Sequence, residues 1–411
     1  MKLWTRAPAC ALPACALFVF CWPSVICAQE WTESQIIEKF LKESPYAREA
    51  RASVEAVRAE FEGRTLLPNP AAVASREGAG YAAFFQLEQQ LPISGRRGIL
   101  KQAGASAVSA AQAGGAGFLW RLRTDLRTAF YRLLSAQTRE GVLAGGTQEL
   151  EEVVRILRVR EAEGEGSRYD RLRGERELAE YRSQLAAARA DVVGTRAAVL
   201  AFLPEGANVA RVTGSLQTIA IVPPFEDLIP RAFTRRADFL TQQKQIEQYR
   251  LEAKAAERLR IPEPLAIAGL KRGDVSPGRT ETSTAVGITV PLPLFNKGKT
   301  EVAKWTAEQE RAIARHQALE RRIRAEVAGA IEALQLRKGA IDQYRREVDP
   351  IGTDLSRITL TAYQEGEIGI LELLDSYRVN RQARLRALEL EMLAKEAAIE
   401  LDRAVGEEVA P

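Results

Sequence analysis

The chain has 411 residues, 46% of them hydrophobic and 27% charged, with a formal charge of only +4. Acids and bases are interspersed, and no basic stripe carries interleaved aromatics, which argues against nucleic acid as a partner. One histidine, His316, excludes imidazole zinc clusters and catalysis by paired histidines.

Lys2 and Arg6 precede an apolar stretch from Ala7 to Ile26, followed by Cys27-Ala28-Gln29. This is the layout of a secretory signal peptide, residues 1–28, cleaved after Ala28. Pro8, Pro13 and Pro23 count against a transmembrane anchor, and Leu12-Pro13-Ala14-Cys15 is a poor, early match to a lipoprotein signal. All four cysteines (Cys10, Cys15, Cys21, Cys27) lie in this leader, so the exported chain has neither disulfides nor thiol chemistry.

The pattern predicts a helix from Thr32 to Arg64, stopped by Pro68 and Pro70. The period then changes to two. Tyr81, Ala83, Phe85 and Leu87 alternate with Ala82, Phe84, Gln86 and Glu88 after a turn at Arg76-Glu77-Gly78, which predicts strands. From Arg96 to Glu163 there is no proline, and a helix of roughly 65 residues spans ~100 Å, too long for a globular core. The return helix carries Leu178, Tyr181, Leu185, Ala188, Val192 and Val199 at steps of three and four, a coiled-coil seam. Residues 204–224, with Gly206, Gly214, Pro223 and Pro224, read as a linker.

The same order then recurs. Residues 29–203 form a first copy and 225–411 a second. Pro68-Asn69-Pro70 is answered by Pro262-Glu263-Pro264, and Leu91-Pro92-Ile93 by Leu292-Pro293-Leu294-Phe295. Leu265–Leu270 is a short apolar run, 271–279 reads as a loop, and Val286, Ile288, Val290 and Leu292 alternate as a strand does. A second long helix, Lys297 to Gln364, is interrupted by Pro350, near the point matched by Gly145-Gly146 in the first copy. Leu385, Leu388, Met392 and Ile399 continue the seam, and His316 falls among Ala312, Leu319 and Ile323 as an interface residue. The turns match too: Gly164-Glu165-Gly166-Ser167 in the first copy, Gly366-Glu367-Ile368-Gly369 in the second. A tight reversal of this kind needs positive φ, which glycine supplies. The fold class is mainly α with a small β part, the repeated unit being helix, β-hairpin, very long helix, turn and helix.

These landmarks together resemble the TolC family of outer-membrane efflux channels. The phrases that carry the resemblance are Pro68-Asn69-Pro70, Leu91-Pro-Ile-Ser-Gly-Arg-Arg97, Pro291-Leu-Pro-Leu-Phe-Asn-Lys-Gly298, Arg235-Arg-Ala-Asp-Phe239 and Tyr363-Gln-Glu-Gly-Glu-Ile-Gly-Ile-Leu-Glu-Leu-Leu-Asp375. The resemblance covers essentially the whole exported chain. It implies a homotrimer: an α-barrel tube crossing the periplasm, topped by a shared β-barrel in outer-membrane lipid. Gly164, Gly166, Ser167, Gly366 and Gly369 then mark the periplasmic tips, which meet an adaptor protein joined to an inner-membrane pump. Glu372 and Asp375, three apart on one helix face, become carboxylate rings at the narrowest point of the pore and attract cations. Family members close the tip partly with a basic residue where this chain has Ile368. Tyr363 and Asp170 are present without that partner, which leaves Arg168 or Arg171 as substitutes.

The function expected is a passive exit duct of a tripartite efflux system, with a lean from Leu91-Pro-Ile-Ser-Gly-Arg-Arg97 toward heavy-metal cations. No cofactor or resident metal is expected, and the exported chain offers no soft-metal relay. A periplasmic adaptor is the alternative, but it has a single hairpin. A structural coiled-coil envelope protein is another, but it has no use for the alternating segments. No nucleophile motif or phosphate-cradling glycine loop points to an enzyme.

Overall fold

A computed structural model describes residues 30–78, 82–218 and 221–409; the leader and Tyr81 lie outside the described residues. A short strand β1 (Glu30–Trp31) leads into α1 (Glu33–Glu43) and α2 (Pro45–Thr65). The sequence predicts one helix here, and the structure has two. Ser44 caps α2 by accepting a 3.2 Å bond from the Ala47 amide, and Pro45 starts the new helix in its first turn, where a missing N–H is harmless. Thr32 and Gln35 form a capping box at the start of α1.

The first hairpin, β2 (Ala71–Glu77) and β3 (Ala82–Gln90), precedes α3 (Arg96–Ala162) and α4 (Arg168–Leu200). Strand β4 (Arg211–Val212) pairs in parallel with β1. The unit then repeats as α5 (Phe225–Arg235), α6 (Ala237–Glu257), β5 (Leu265–Ser276), β6 (Arg279–Thr289), α7 (Lys299–Glu347), α8 (Asp349–Gln364) and α9 (Ile370–Val405). Residues 271–276, read from the sequence as loop, belong to β5. The turn is confined to Pro277-Gly278, with Gly278 at φ 82°, because β6 offers ladder partners as far as Arg279. A bulge between Asp274 and Ser276 absorbs the mismatch. The second long helix ends at Glu347 and restarts at Asp349, whereas α3 runs unbroken through Gly145-Gly146.

The two hairpins join into one antiparallel sheet of order β2-β3-β5-β6, so β2 and β6 are its open edges among the described residues. The register sorts the side chains. Phe85 stands opposite Leu270, itself opposite Thr284; Leu87 stands opposite Ala268, itself opposite Val286. This face carries Phe85, Leu87, Leu270, Val286 and Ile288, all exposed. Gln86, Glu88 and Lys271 take the other face. Alternation predicted the two faces, and the structure puts the apolar one outside.

The helices pack as a shaft. α3 lies against α2 and α6 near the sheet and against α4 and α9 farther down, while α7 lies against α6 and α9. Phe40, Leu126, Phe130, Val199 and Ile399 form one core, joined by Val209, Val212 and Leu216, so much of the predicted linker is packed structure. Leu228, Ile323, Val327, Leu334 and Leu401 form a second. Arg127 is buried between elements, bonded to Glu33 and, at 2.7 Å, to Asp402, whose other oxygen accepts a 2.8 Å bond from the Val409 amide. The phrase Arg235-Arg-Ala-Asp-Phe239 is a pin: Arg236 forks onto Asp238 at 2.7 and 3.1 Å and donates to Glu326 and the Ala404 carbonyl. His316 packs against Phe239, the rings tilted with centres 4.3 Å apart, which places it at the interface of α6 and α7.

Candidate pore and tip site

The two predicted tips have the same backbone. At the first, the Glu165 amide bonds the Arg160 carbonyl at 2.9 Å and the Gly164 amide bonds that of Glu161 at 3.1 Å. At the second, Glu367 bonds Ala362 at 2.9 Å and Gly366 bonds Tyr363 at 3.2 Å. Both are Schellman closures, and Gly164 (φ 77°) and Gly366 (φ 80°) occupy the left-handed position they need. The other tip glycines act differently. Gly166 makes room: a Cβ there would lie 3.0 Å from Arg160 Cβ and from the Glu161 amide. Gly369 (φ −84°) is the residue before α9, as Ser167 is before α4, where its hydroxyl accepts from the Tyr169 amide at 3.0 Å.

Glu372 and Asp375 lie on the exposed side of α9, opposite the buried Leu373 and Leu374. Glu372 folds back toward the start of its helix, with Oε2 3.0 Å from where a Gly369 Cβ would stand. Asp375 is bonded to Arg378 one turn on. Any ring built from these carboxylates therefore carries arginines beside it, a pairing written in the i, i+3 spacing but not singled out from the sequence.

The gate candidates divide. Tyr363 packs against the core of Leu150, Val154, Leu178 and Leu373, and Arg160 lies over its ring at 5.8 Å. Arg160 was not among the predicted residues, since nothing in the sequence marks which helical arginine faces the other hairpin. Asp170 is half-buried in the first turn of α4, and Arg168 is exposed beside it. Arg171 is not a free substitute for the missing basic residue. It bonds Glu161 across the turn and Glu175 at 2.8 Å, and these bonds, Glu161 first, hold its guanidinium firmly charged. Its partners belong to its own hairpin.

Residues 228–407, from α5 to the end of α9, match the family model described as outer membrane efflux protein. The second copy of the chain is thus similar to that family. The cobalt-zinc-cadmium resistance protein CzcC of Cupriavidus metallidurans is 22% identical over 334 residues, 78% of this chain and 76% of that protein. A membrane protein from Pseudomonas aeruginosa superposes with a TM-score of 0.73 at 16% identity, covering 91% of this chain and 92% of that one. The Neisseria gonorrhoeae outer membrane channel MtrE, in its open state, gives 0.71 at 20% identity, with 92% and 89% covered. These likenesses show one shared fold over both copies of the chain, beyond residues 228–407.

Proposed function

We propose that three copies of this chain form the outer-membrane exit duct of a tripartite efflux system. The observation that carries this is the four-stranded sheet: two open edges among the described residues, an exposed apolar face and a reverse that carries Gln86, Glu88 and Lys271, set on a helical shaft. An open edge in lipid leaves backbone groups without partners, so the sheet must close on copies of itself. Three copies close a barrel of twelve strands with the Phe85–Val286 face toward lipid and Gln86, Glu88 and Lys271 toward the lumen. The 11 residues of β6 span ~36 Å along the strand, or ~25 Å when tilted as barrel strands are. The 67-residue α3 reaches ~100 Å from that barrel into the periplasm.

In this arrangement the Schellman tips are the far ends that meet an adaptor, and Glu372 and Asp375 ring the pore just above them. The duct moves cargo without making or breaking bonds, and the pump supplies the energy. The likeness to a cobalt-zinc-cadmium resistance protein favours divalent metal cations as cargo. Electron microscopy of the mature protein in detergent tests the reading. A three-fold hollow tube supports it; a solid rod or a single-armed monomer overturns it. For the cargo, cells lacking the chain should lose resistance to cobalt, zinc or cadmium, and unchanged resistance to all three removes the metal assignment.

A further inference from the structure

The register of the sheet sorts charges as well as apolar groups, because alternate rows of partners share a face. The face of Phe85 and Leu270 continues toward the helices as Ala72, Leu87, Ala268 and Val286, then as Gln89, Ala266 and Ile288. One row the other way, toward the hairpin turns, its character changes. That row is Arg76, Ala83, Arg272 and Thr282.

Both arginines are exposed. They stand on β2 and β5 with only β3 between them, so their Cα atoms are ~10 Å apart. Between them lies Ala83, which is buried and whose methyl cannot reach the arginine heads. The nearby carboxylates are turned away or engaged. Glu77 and Glu281 belong to the next row, with Ala82 and Gly273, on the opposite face. Asp274 shares the arginines' face but accepts from the Thr280 hydroxyl at 3.1 Å, and Arg279 pairs with Glu281 at 2.7 Å.

Depth decides what these arginines meet. Below them the apolar face runs to Ile288 and, past the end of β6, to the exposed Val290 and Leu292. In a tilted strand that run covers ~20 Å of depth, close to the apolar band of an outer-membrane barrel. The arginine row sits one step, ~5 Å, beyond it, at the level of lipid headgroups. The helices join the sheet at its other end, so the row belongs to the outer leaflet. An arginine at such a boundary lays its stem along hydrocarbon and its head among headgroups. Its fork matches phosphate oxygens two at a time. A phosphomonoester, with a charge of about −1.5 to −2 near neutral pH, suits two converging forks.

We propose that Arg76 and Arg272 clamp a phosphomonoester of an outer-leaflet glycolipid over Ala83, at three equivalent sites around the barrel. This rests on the duct reading above, which puts this face in lipid. The probe is bisphosphorylated lipid A, added to trimers of the full mature chain in non-ionic detergent. Native mass spectrometry counts the bound lipids and confirms the trimer in every variant.

Arg76→Gln with Arg272→Gln should weaken binding about thirtyfold, from about fivefold for each arginine at an anionic surface. Lys271→Gln removes a cation one residue away on the lumen face and should leave binding unchanged. Lipid A stripped of both phosphates should bind wild type as weakly as bisphosphorylated lipid A binds the double variant. Inorganic phosphate at the same concentration should displace nothing; displacement marks a free-anion site and overturns the lipid assignment. Equal binding by the double variant, an equal loss in Lys271→Gln, or indifference to the phosphates overturns the clamp. A wild-type chain that forms no trimer and does not float with phosphatidylcholine vesicles overturns the duct reading, and the clamp with it. Trimers that float yet fail the lipid A comparisons overturn the clamp alone.

Discussion

Arginine at position 286 separates a lipid-facing sheet from a soluble one. Val286 is 85% exposed and sits three residues from the end of β6, on the face shared with Leu87 and Leu270. Its neighbour Ala285 points to the opposite face, across from Gly269. Both positions lie at nearly the same depth, since one residue of strand rises about 3.3 Å. An arginine facing lipid costs about 2–4 kcal/mol at the midplane and less toward the edge, so about 2 kcal/mol suits position 286. Three copies in one barrel bring this to about 6 kcal/mol, enough to deplete the assembled trimer strongly. Ala285→Arg, facing a lumen that already holds Lys271, should cost little. The assay is the fraction of each variant in outer-membrane trimers that resist detergent, with the soluble helical signal as a folding control. Equal assembly of the two variants, or worse assembly of Ala285→Arg, refutes the assignment of faces and with it the barrel.

Four further outcomes follow from the geometry. Glu372→Gln with Asp375→Asn should weaken block of the pore by multivalent cations in conductance measurements; unchanged block removes these residues from the constriction. Gly366→Val forces a β-branched residue to φ 80° and should impair efflux while trimers still form, whereas normal efflux shows that the tip geometry is dispensable. Asp402→Ala strips the buried Arg127 of one of its two closest carboxylates and the Val409 amide of its acceptor, and should cost about 2–4 kcal/mol in thermal denaturation; Arg127→Met, which removes the charge itself, should cost less. A larger loss in Arg127→Met would show that the network stabilises more than its desolvation costs.

Acid stability gives the fourth. Burial alone would raise the Asp238 carboxyl, but the Arg236 fork and the Phe239 amide prevail and hold it below its usual 3.8. A depressed acid contributes stability above its unfolded value and loses it as pH falls through the folded one. Asp238→Asn should therefore be less stable than wild type at neutral pH, with the gap closing below about pH 4. A gap that persists undiminished to lower pH argues that the pin is not electrostatic.

The sequence by itself determined the order of elements, the long helices and their seams, the two-faced strands and the positions of both tips. Each of these is a periodicity or a local backbone need. Leu178, Tyr181, Leu185 and Val199 are buried because a step of three or four keeps them on one side of any helix, and Gly164 and Gly366 turn left-handed because the reversal allows little else. Only the tertiary structure decided what depends on partners distant in sequence. Residues 271–276 look like a loop until β6 supplies their ladder, and the linker looks loose until Val209 and Val212 enter the core. Arg171 looks available until Glu161 and Glu175 engage it, while Arg160 and Arg381 look like ordinary helical arginines until the other hairpin brings them a tyrosine. Spacing fixes the face a side chain takes on its own element. What it meets there is set by the packing of elements hundreds of residues apart, and that meeting decides whether a charge is solvated, paired or held on a ring.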